Sequence, residues 1–335
     1  MDPVGTELES TLRARIGRLI GEEVRTCEVE IGRELGASSV PLIRELAQYV
    51  ALAGGKRLRP ILLLVCARLA GGPPARAIRL GSVVELLHTA TLIHDDVVDQ
   101  APLRRGRASA NARWGADASV LVGDHLYSRC MALLVADGDL RVMDALAAAM
   151  VSMTEAEVFQ LERKRDGRLG EGDYLRIVRQ KTATFMSACC RIGGLTGRLP
   201  PDLVEALAAY GEHLGIAFQI IDDSLDFDAD EARLGKAIGA DLREGKRTLP
   251  LIVTLERATP EERARILAAL ASAGPDERDV TEVHRLVKMY DGVGYAISRA
   301  AAYVEEALAR LGQFPAGEER DALALIADYV VRRDH

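Results

Sequence analysis

Two aspartate clusters constrain this chain more than anything else in it. One run from His88 through Leu92 and Ile93 ends in Asp95, Asp96 and Asp99; a second, from Phe218 through Ile220 and Ile221, ends in Asp222, Asp223 and Asp226. Each triplet closes an apolar run of helix-compatible composition. Asp95 and Asp99 are four residues apart, so a helix projects them from one face. A single cluster of this kind also fits a solvated helix end. Two copies, each following core-type residues, are poorly placed for a free surface. If the two helices face each other, up to six carboxylates ring one cavity, and uncompensated they would strongly destabilise it. Cations are therefore implied. A hard divalent ion such as Mg²⁺, which takes oxygen ligands and bridges carboxylates to phosphates, is the natural candidate.

The rest of the chain reads as helical. No proline occurs between Pro102 and Pro200, and most of the others, such as Pro41, Pro60, Pro200-Pro201, Pro250, Pro260 and Pro315, sit where helices would begin or end. Ala, Leu, Glu and Arg dominate between them. Alternating β-branched and aromatic stretches are missing, and aromatics make up only 4% of the residues, low for a β protein. The pattern predicts helices at 7–34, 40–52, 58–70, 75–99, 117–136, 139–165, 171–195, 201–227, 246–258, 261–273, 278–290, 292–311 and 317–332. With no linker-like or repetitive tract, the expectation is one domain over 1–335: a large all-α bundle around a central cavity with two facing Asp-rich helices, its first 39 residues an N-terminal helix.

Composition narrows the function. A net charge of -7 argues against nucleic acid as a partner. Five cysteines without a CxxC pair fit a reduced, cytoplasmic chain. The early residues contain no apolar core of a secretory signal, and no apolar run reaches membrane-spanning length. Handling an apolar ligand, or transient contact with a membrane surface for product release, stays compatible with that.

Basic groups bracket the acids. Gly54-Gly55-Lys56-Arg57-Leu58-Arg59-Pro60 joins a flexible Gly pair, three cations and a helix start, a combination suited to an anion. Arg104-Arg105-Gly106-Arg107 follows the first cluster within a few residues, and Arg forks suit phosphate oxygens. Lys181-Thr182 sits within a helix. Lys236 and Lys246 bracket a Gly-punctuated stretch, 235–250, after the second cluster, which reads as a ligand-covering loop. Acids for a metal and bases for the remaining oxygens describe a site for an Mg²⁺-bound polyphosphate. No Walker or Rossmann glycine motif and no GxSxG is present. Glu85-Leu86-Leu87-His88 has the ExxH spacing of di-iron bundles, but no second copy accompanies it.

Together, Gly54–Pro60, the Asp95/Asp96/Asp99 cluster, Arg104-Arg105-Gly106, Gly123-Asp124, Lys181-Thr182, Phe218-Gln219 with Asp222-Asp223, and Gly235–Pro250 resemble the trans-type isoprenyl diphosphate synthases, in family order over about residues 50–250. The His88–Asp99 wording is most similar to long-chain members of the octaprenyl kind. The resemblance implies an Mg²⁺-dependent head-to-tail prenyltransferase, usually a homodimer, that joins isopentenyl diphosphate to an allylic diphosphate such as farnesyl or geranylgeranyl diphosphate. It assigns Asp95, Asp99, Asp222 and Asp226 to the metal, three ions in all. Asp95, Asp96, Asp99, Lys181, Asp222 and Lys236 become the catalytic set. Arg104, Lys181, Thr182, Gln219, Lys236 and Lys246 match positions that contact the allylic diphosphate; Lys56, Arg59, His88 and Arg105 match the pocket for isopentenyl diphosphate. Ser224 departs from the apolar residue common in the family.

The product chain is expected to run along the helix that carries Asp95, where a turn of 5.4 Å is close to one isoprene unit. Ala90 and Thr91, the first turn back, are small, with Leu87 on the next, so the expectation is a product longer than C20. A short-chain C15–C20 synthase is the alternative. A class I terpene cyclase fits less well, since it needs neither Gly54–Pro60 nor a second aspartate triplet. A non-catalytic partner subunit of a heteromeric synthase would be expected to lose acidic ligands, and here both clusters are intact.

Overall fold

A computed structural model describes residues 3–51, 54–166, 169–228, 240–272 and 275–332. Helices α1 (Pro3–Gly36), α2 (Pro41–Ala51), α3 (Leu58–Leu69) and α4 (Pro74–Val98) are followed by a two-stranded hairpin, β1 (Leu103–Arg104) and β2 (Arg107–Ala108). Then come α5 (Ala110–Trp114), α6 (Ala116–Asp137), α7 (Leu140–Asp166), α8 (Glu171–Val178), a π-helical turn (Arg179–Ala183), α9 (Thr184–Thr196) and α10 (Pro201–Asp228). The last third holds α11 (Ala240–Arg243), α12 (Leu249–Arg257), α13 (Pro260–Ala271), α14 (Glu277–Met289), α15 (Gly292–Leu311) and α16 (Glu318–Arg332). All thirteen helices expected from periodicity are present, with ends displaced by no more than four residues.

Local chemistry sets the boundaries. α13 starts in a capping box, with the Thr259 hydroxyl accepting from the Glu262 N–H and the Glu262 carboxylate accepting from the Thr259 N–H. Asp276 caps α14 by accepting from the Asp279 N–H. α12 begins at Leu249 rather than 246 because Gly245 takes a left-handed φ of 68° and Pro250 fits the first helical turn.

The long central helices bury all round, as their apolar runs require. α10 packs against α9 and α15, α4 against α6, α3 and α1, and α9 bridges the two groups through α3 and α4. The two Asp-bearing helices thus share a neighbour. One large hydrophobic core includes Leu86, Leu87, Ala90, Ile93, Phe185, Tyr210 and Ile220; a smaller one gathers Leu251, Ile266, Val283 and Leu286 from α12–α14.

Two features were not expected. The hairpin places Arg105 (φ 53°) and Gly106 (φ 73°) at its two central positions, with Leu103 paired to Ala108 and Arg104 to Arg107. Two positive φ values are what a two-residue turn of this hand demands, and an Arg-Gly pair is a weak signal for it. The π turn interrupts the helix expected over 171–195. Such turns widen the backbone locally and project side chains out of helical register. Gly215 of α10 makes room for it: a Cβ there would meet the Ala183 Cα at 2.5 Å.

Candidate active site

The C-terminal turn of α4 presents Asp95 and, as its cap, Asp99. Asp95 is pushed up to about 6, first because burial penalises its charge; Glu157 and Asp99 add to the shift, while Lys181 and Arg104 oppose it. Asp96 lies apart from both. It is fully buried, and its Oδ1 accepts from the Arg104 Nε at 2.5 Å. Consecutive residues on a helix are about 100° apart, so Asp96 turns away from Asp95 and into the bundle, while Asp99 stays exposed. The neighbouring Gly123-Asp124 pair has a packing reason: a Cβ on Gly123 would meet the His94 Nε2 at 2.2 Å, and Asp124 stands 3.4 Å from the same nitrogen.

The last turn of α10 repeats the geometry. Asp222 is exposed and Asp226 half-buried. The middle residue, Asp223, turns inward, where Gln219 Nε2 donates to Oδ1 at 2.8 Å and the Tyr174 hydroxyl donates to Oδ2 at 2.6 Å. Burial raises Asp223 to about 6 against those two donors, with Asp222 adding to the rise. Thr182, from the π turn, donates to Gln219 Oε1 at 2.9 Å, so Thr182, Gln219 and Asp223 form one chain of hydrogen bonds. The Asp241 N–H at the start of α11 donates to Asp226 Oδ2 at 3.1 Å. Its carboxyl is pushed up to about 8, by burial first and then by Asp223 and Asp226.

Cations stand between the two turns. Lys181 pairs with Glu157 of α7 at 2.5 Å and is close enough to lower Asp95. Lys246 pairs with Glu244 at 2.5 Å; burial works to lower its pKa, but Glu244, Asp241 and Asp99 outweigh it and raise it. The influence of Asp99 on Lys246 ties the first acid turn to the segment after the second. Lys236 lies outside the described residues.

A second basic group lies one to two turns back along α4. Arg59 Nη1 is 3.1 Å from His88 Nε2. A guanidinium only donates, so that nitrogen carries the lone pair and the proton sits on Nδ1. Burial, then Arg59 and Arg105, hold His88 well below the usual imidazole range, so it stays neutral. Arg59 also lies over the Phe185 ring at 5.4 Å. The left-handed turn aims Arg105 at Gly55, where a Cβ would meet its Nη1 at 3.1 Å. Lys56 donates to the Tyr329 hydroxyl at 3.0 Å. Arg57 instead pairs with Glu85 at 2.5 Å, which accounts for the first residue of the ExxH pattern. Of the three residues expected to set product length, Thr91 is half-buried and donates to the His88 carbonyl at 2.7 Å, whereas Ala90 and Leu87 are fully buried in the core.

Three further side chains joined to this site were not expected: Glu157, Tyr174 and Asp241. Asp241 lay inside the Gly-punctuated stretch, so composition offered a signal. Glu157 and Tyr174 belong to helices whose spacing carries no mark of them. The donor set is all oxygen, with carboxylates whose charge burial disfavours, and this fits a hard divalent cation. Among the described residues no three acidic, histidine or cysteine side chains converge as a ready-made metal cluster. Oxygens from a bound polyphosphate would have to complete the shell.

Comparison with known proteins agrees with this geometry. The polyprenyl synthetase family model matches residues 40–287. The octaprenyl diphosphate synthase of Escherichia coli (strain K12) is 36% identical over 320 residues, 96% of this chain and 98% of the relative. The short chain isoprenyl diphosphate synthase of Methanothermobacter thermautotrophicus is 36% identical over 293 residues, 86% of this chain and 90% of its own. Among solved structures, a polyprenyl synthase from Caulobacter crescentus CB15 complexed with calcium and isoprenyl diphosphate superposes with a TM-score of 0.90 at 38% identity, covering 96% of this chain and 97% of that one. The chain belongs to the polyprenyl synthetase family: it is a trans-type prenyl diphosphate synthase, an enzyme that transfers prenyl groups on the all-α isoprenoid synthase fold.

Proposed function

We propose that this chain condenses isopentenyl diphosphate with an allylic diphosphate, in the presence of Mg²⁺, to make an all-trans polyprenyl diphosphate longer than C20. The observation that carries the reading is the pairing of two sites along α4. Asp95 feels the charge of Lys181 and Asp99 that of Lys246, which also feels Asp241 after the second acid turn, and Arg59, His88 and Arg105 gather at a second position beside Gly55, the neighbour of Lys56. A condensation needs two diphosphates held side by side.

Asp95, Asp99, Asp222 and Asp226 would hold Mg²⁺, in three ions by analogy with the family, which when bound supplies charge stabilisation to a leaving diphosphate. Arg104, Lys181, Lys246 and Lys236 take the remaining oxygens of the allylic diphosphate, and Lys181 exchanges Glu157 for it. Thr182 and Gln219 brace Asp223 from behind. Lys56, Arg59 and Arg105 hold isopentenyl diphosphate, with neutral His88 orienting Arg59. Ionisation breaks the allylic C–O bond. The double bond of isopentenyl diphosphate then attacks the cation, and the departed diphosphate takes the proton, so no side-chain base is required. The Caulobacter relative was solved in complex with calcium and isoprenyl diphosphate, which supports a site for a divalent cation and a prenyl diphosphate in this chain.

Product length rests on α4. The turn back from Asp95 offers only Thr91 and Ala90, so no aromatic floor meets the growing chain there. The protein would work as a single domain, as a soluble, cytoplasmic enzyme; no helix among the described residues is long and apolar enough to cross a membrane. A homodimer is supported by exposed apolar residues on two successive helices, Leu121 and Val135 on α6 and Leu140, Val151 and Val158 on α7, with Leu140 76% exposed. The test is elongation by the purified chain alone with Mg²⁺, isopentenyl diphosphate and farnesyl diphosphate, with products sized by thin-layer chromatography. A ladder beyond C20 is expected, and Ala90→Phe should shorten it. An unchanged ladder in that variant would sink the pocket assignment, and no elongation by the wild type would sink the function.

A further inference from the structure

Asp95 and Asp96 are neighbours in sequence but serve different sides of α4. The Asp96 side helps line a small cavity of about 20 Å³, with Tyr49, Leu92, Arg104 and Ser109 among its walls. That volume takes one water molecule. Asp96 is 0% exposed; its Oδ1 accepts from Arg104, and its buried Oδ2 receives no donor among the described residues. The hairpin above the cavity is held down at both ends. Ser109 donates to the Ala101 carbonyl at 2.5 Å, and the Tyr49 hydroxyl donates to the Ala108 carbonyl at 2.8 Å. Arg104 itself is only partly buried, and its charge is felt by Asp95.

We propose that Asp96 is a positioning residue rather than a metal ligand: its carboxylate clamps the Arg104 Nε from behind, one ordered water in the cavity satisfies its other oxygen, and the terminal nitrogens of Arg104 are thereby presented to the allylic diphosphate beside Asp95. The inference rests on the reading of Arg104 as a ligand of that diphosphate. A guanidinium carries five N–H groups in one rigid plane, so fixing Nε fixes where the other four point. The anionic clamp also holds the arginine in place before substrate arrives, so less order is lost on binding. Asp95 and the exposed Asp99 would be the ones to hold a metal, while the fully buried Asp96 carboxylate is committed to Arg104.

The test compares Asp96→Asn, Arg104→Gln and the double variant, with kcat, both KM values and the Mg²⁺ concentration for half-maximal rate measured at saturating substrates. Asp96→Asn should raise the allylic KM roughly ten- to a hundred-fold, the factor carried by one charge-assisted hydrogen bond. The isopentenyl diphosphate KM and the Mg²⁺ requirement should stay within about two-fold. The double variant should be no worse than Arg104→Gln alone, since both changes remove one unit. Additive effects, or a rise in Mg²⁺ requirement like that of Asp95→Asn, would overturn the clamp. If Asp96→Asn fails to fold, Arg104→Lys decides: it keeps the charge but has no Nε to be clamped, so a wild-type allylic KM in that variant refutes the proposal. A crystal structure with a non-hydrolysable allylic diphosphate should show a water on Asp96 Oδ2; an ion there refutes it too. Failure of the wild type to elongate would sink the reading of the site, whereas elongation with additive variants sinks only the clamp.

Discussion

The two acid turns are spelled alike and built differently. In both, the first and third aspartates lie on one helical face and the middle one turns inward. On α4 the middle residue, Asp96, meets a cation, with Arg104 at 2.5 Å. On α10 the middle residue, Asp223, is hydrogen-bonded among the described residues by the neutral donors Tyr174 and Gln219, and burial lifts it to about 6 although the charge of Lys246 works to lower it. The α4 turn thus balances its buried charge with a hydrogen-bonded cation, while the α10 turn holds that charge on two neutral hydrogen bonds, with Asp222 opposing it and Lys246 favouring it through space. The difference teaches that a shared motif sets which carboxylates face the mouth, and that the helices packed behind decide what each inward carboxylate does. It also makes the α10 turn the more dependent on added cations, since a buried carboxylate without a hydrogen-bonded cation is the costlier state.

The comparison can be broken in order of effect. The outward positions should be equivalent: Asp95→Asn and Asp222→Asn should each cut kcat by about a thousand-fold, the scale of losing a preorganised charge at a transition state. A loss below ten-fold in either one would remove that turn from the proposed metal site. The inward positions should differ. Tyr174→Phe removes one neutral donor from Asp223 and should lower kcat by roughly five-fold, with the Mg²⁺ requirement rising because the acid turn is less ordered. This contrasts with the allylic KM effect expected for Asp96→Asn. Equal kinetic signatures for the two would erase the distinction.

The smallest effect is on stability without metal. Asp241 is held at about 8 against an ordinary 3.8, so between those values the folded chain binds a proton that the unfolded chain releases. Stability from this group is fully present below pH 4 and is lost as pH rises through about 8. Asp241→Asn, which cannot ionise, should therefore melt above the wild type at pH 8 in chelator, by about 2 °C, with the gap closing toward pH 4. A gap that widens on acidification would contradict the burial of that carboxyl. The part-buried histidines His88, His213 and His284 have the opposite sign. Their pKa values are lowered by burial, so their contribution is present above the ordinary 6.5 and lost as pH falls. Asp241 variants should accordingly be compared with wild type at each pH rather than across pH values.

Much of the fold was legible because it rests on local rules. Proline placement, helix-forming composition and the 3.6-residue apolar period located thirteen helices, and four-residue spacing put Asp95 with Asp99 on one face. The hairpin was not legible, since an Arg-Gly turn is an uncommon way to reach two positive φ values. Nor was the π turn that carries Lys181 and Thr182, because it is seated closely against Gly215, a residue 32 positions beyond Ala183. Arg57 and Arg59 look alike in sequence, yet one pairs with Glu85 and the other with His88. Which of two alternating cations reaches a ligand pocket depends on the left-handed residue at the start of α3, where Arg57 takes φ 49°.

By itself the sequence determined the helical alphabet, the paired aspartate turns and the family to which they belong, because periodicity and spacing act within one helix. Only the tertiary structure decided which carboxylates share a mouth, which are withdrawn behind it, and which distant side chains complete them. Glu157 on Lys181, Tyr174 on Asp223 and Asp241 on Asp226 join residues 24, 49 and 15 positions apart. Burial and charge pairing are properties of neighbours in space, and a helix carries no record of what will pack against it.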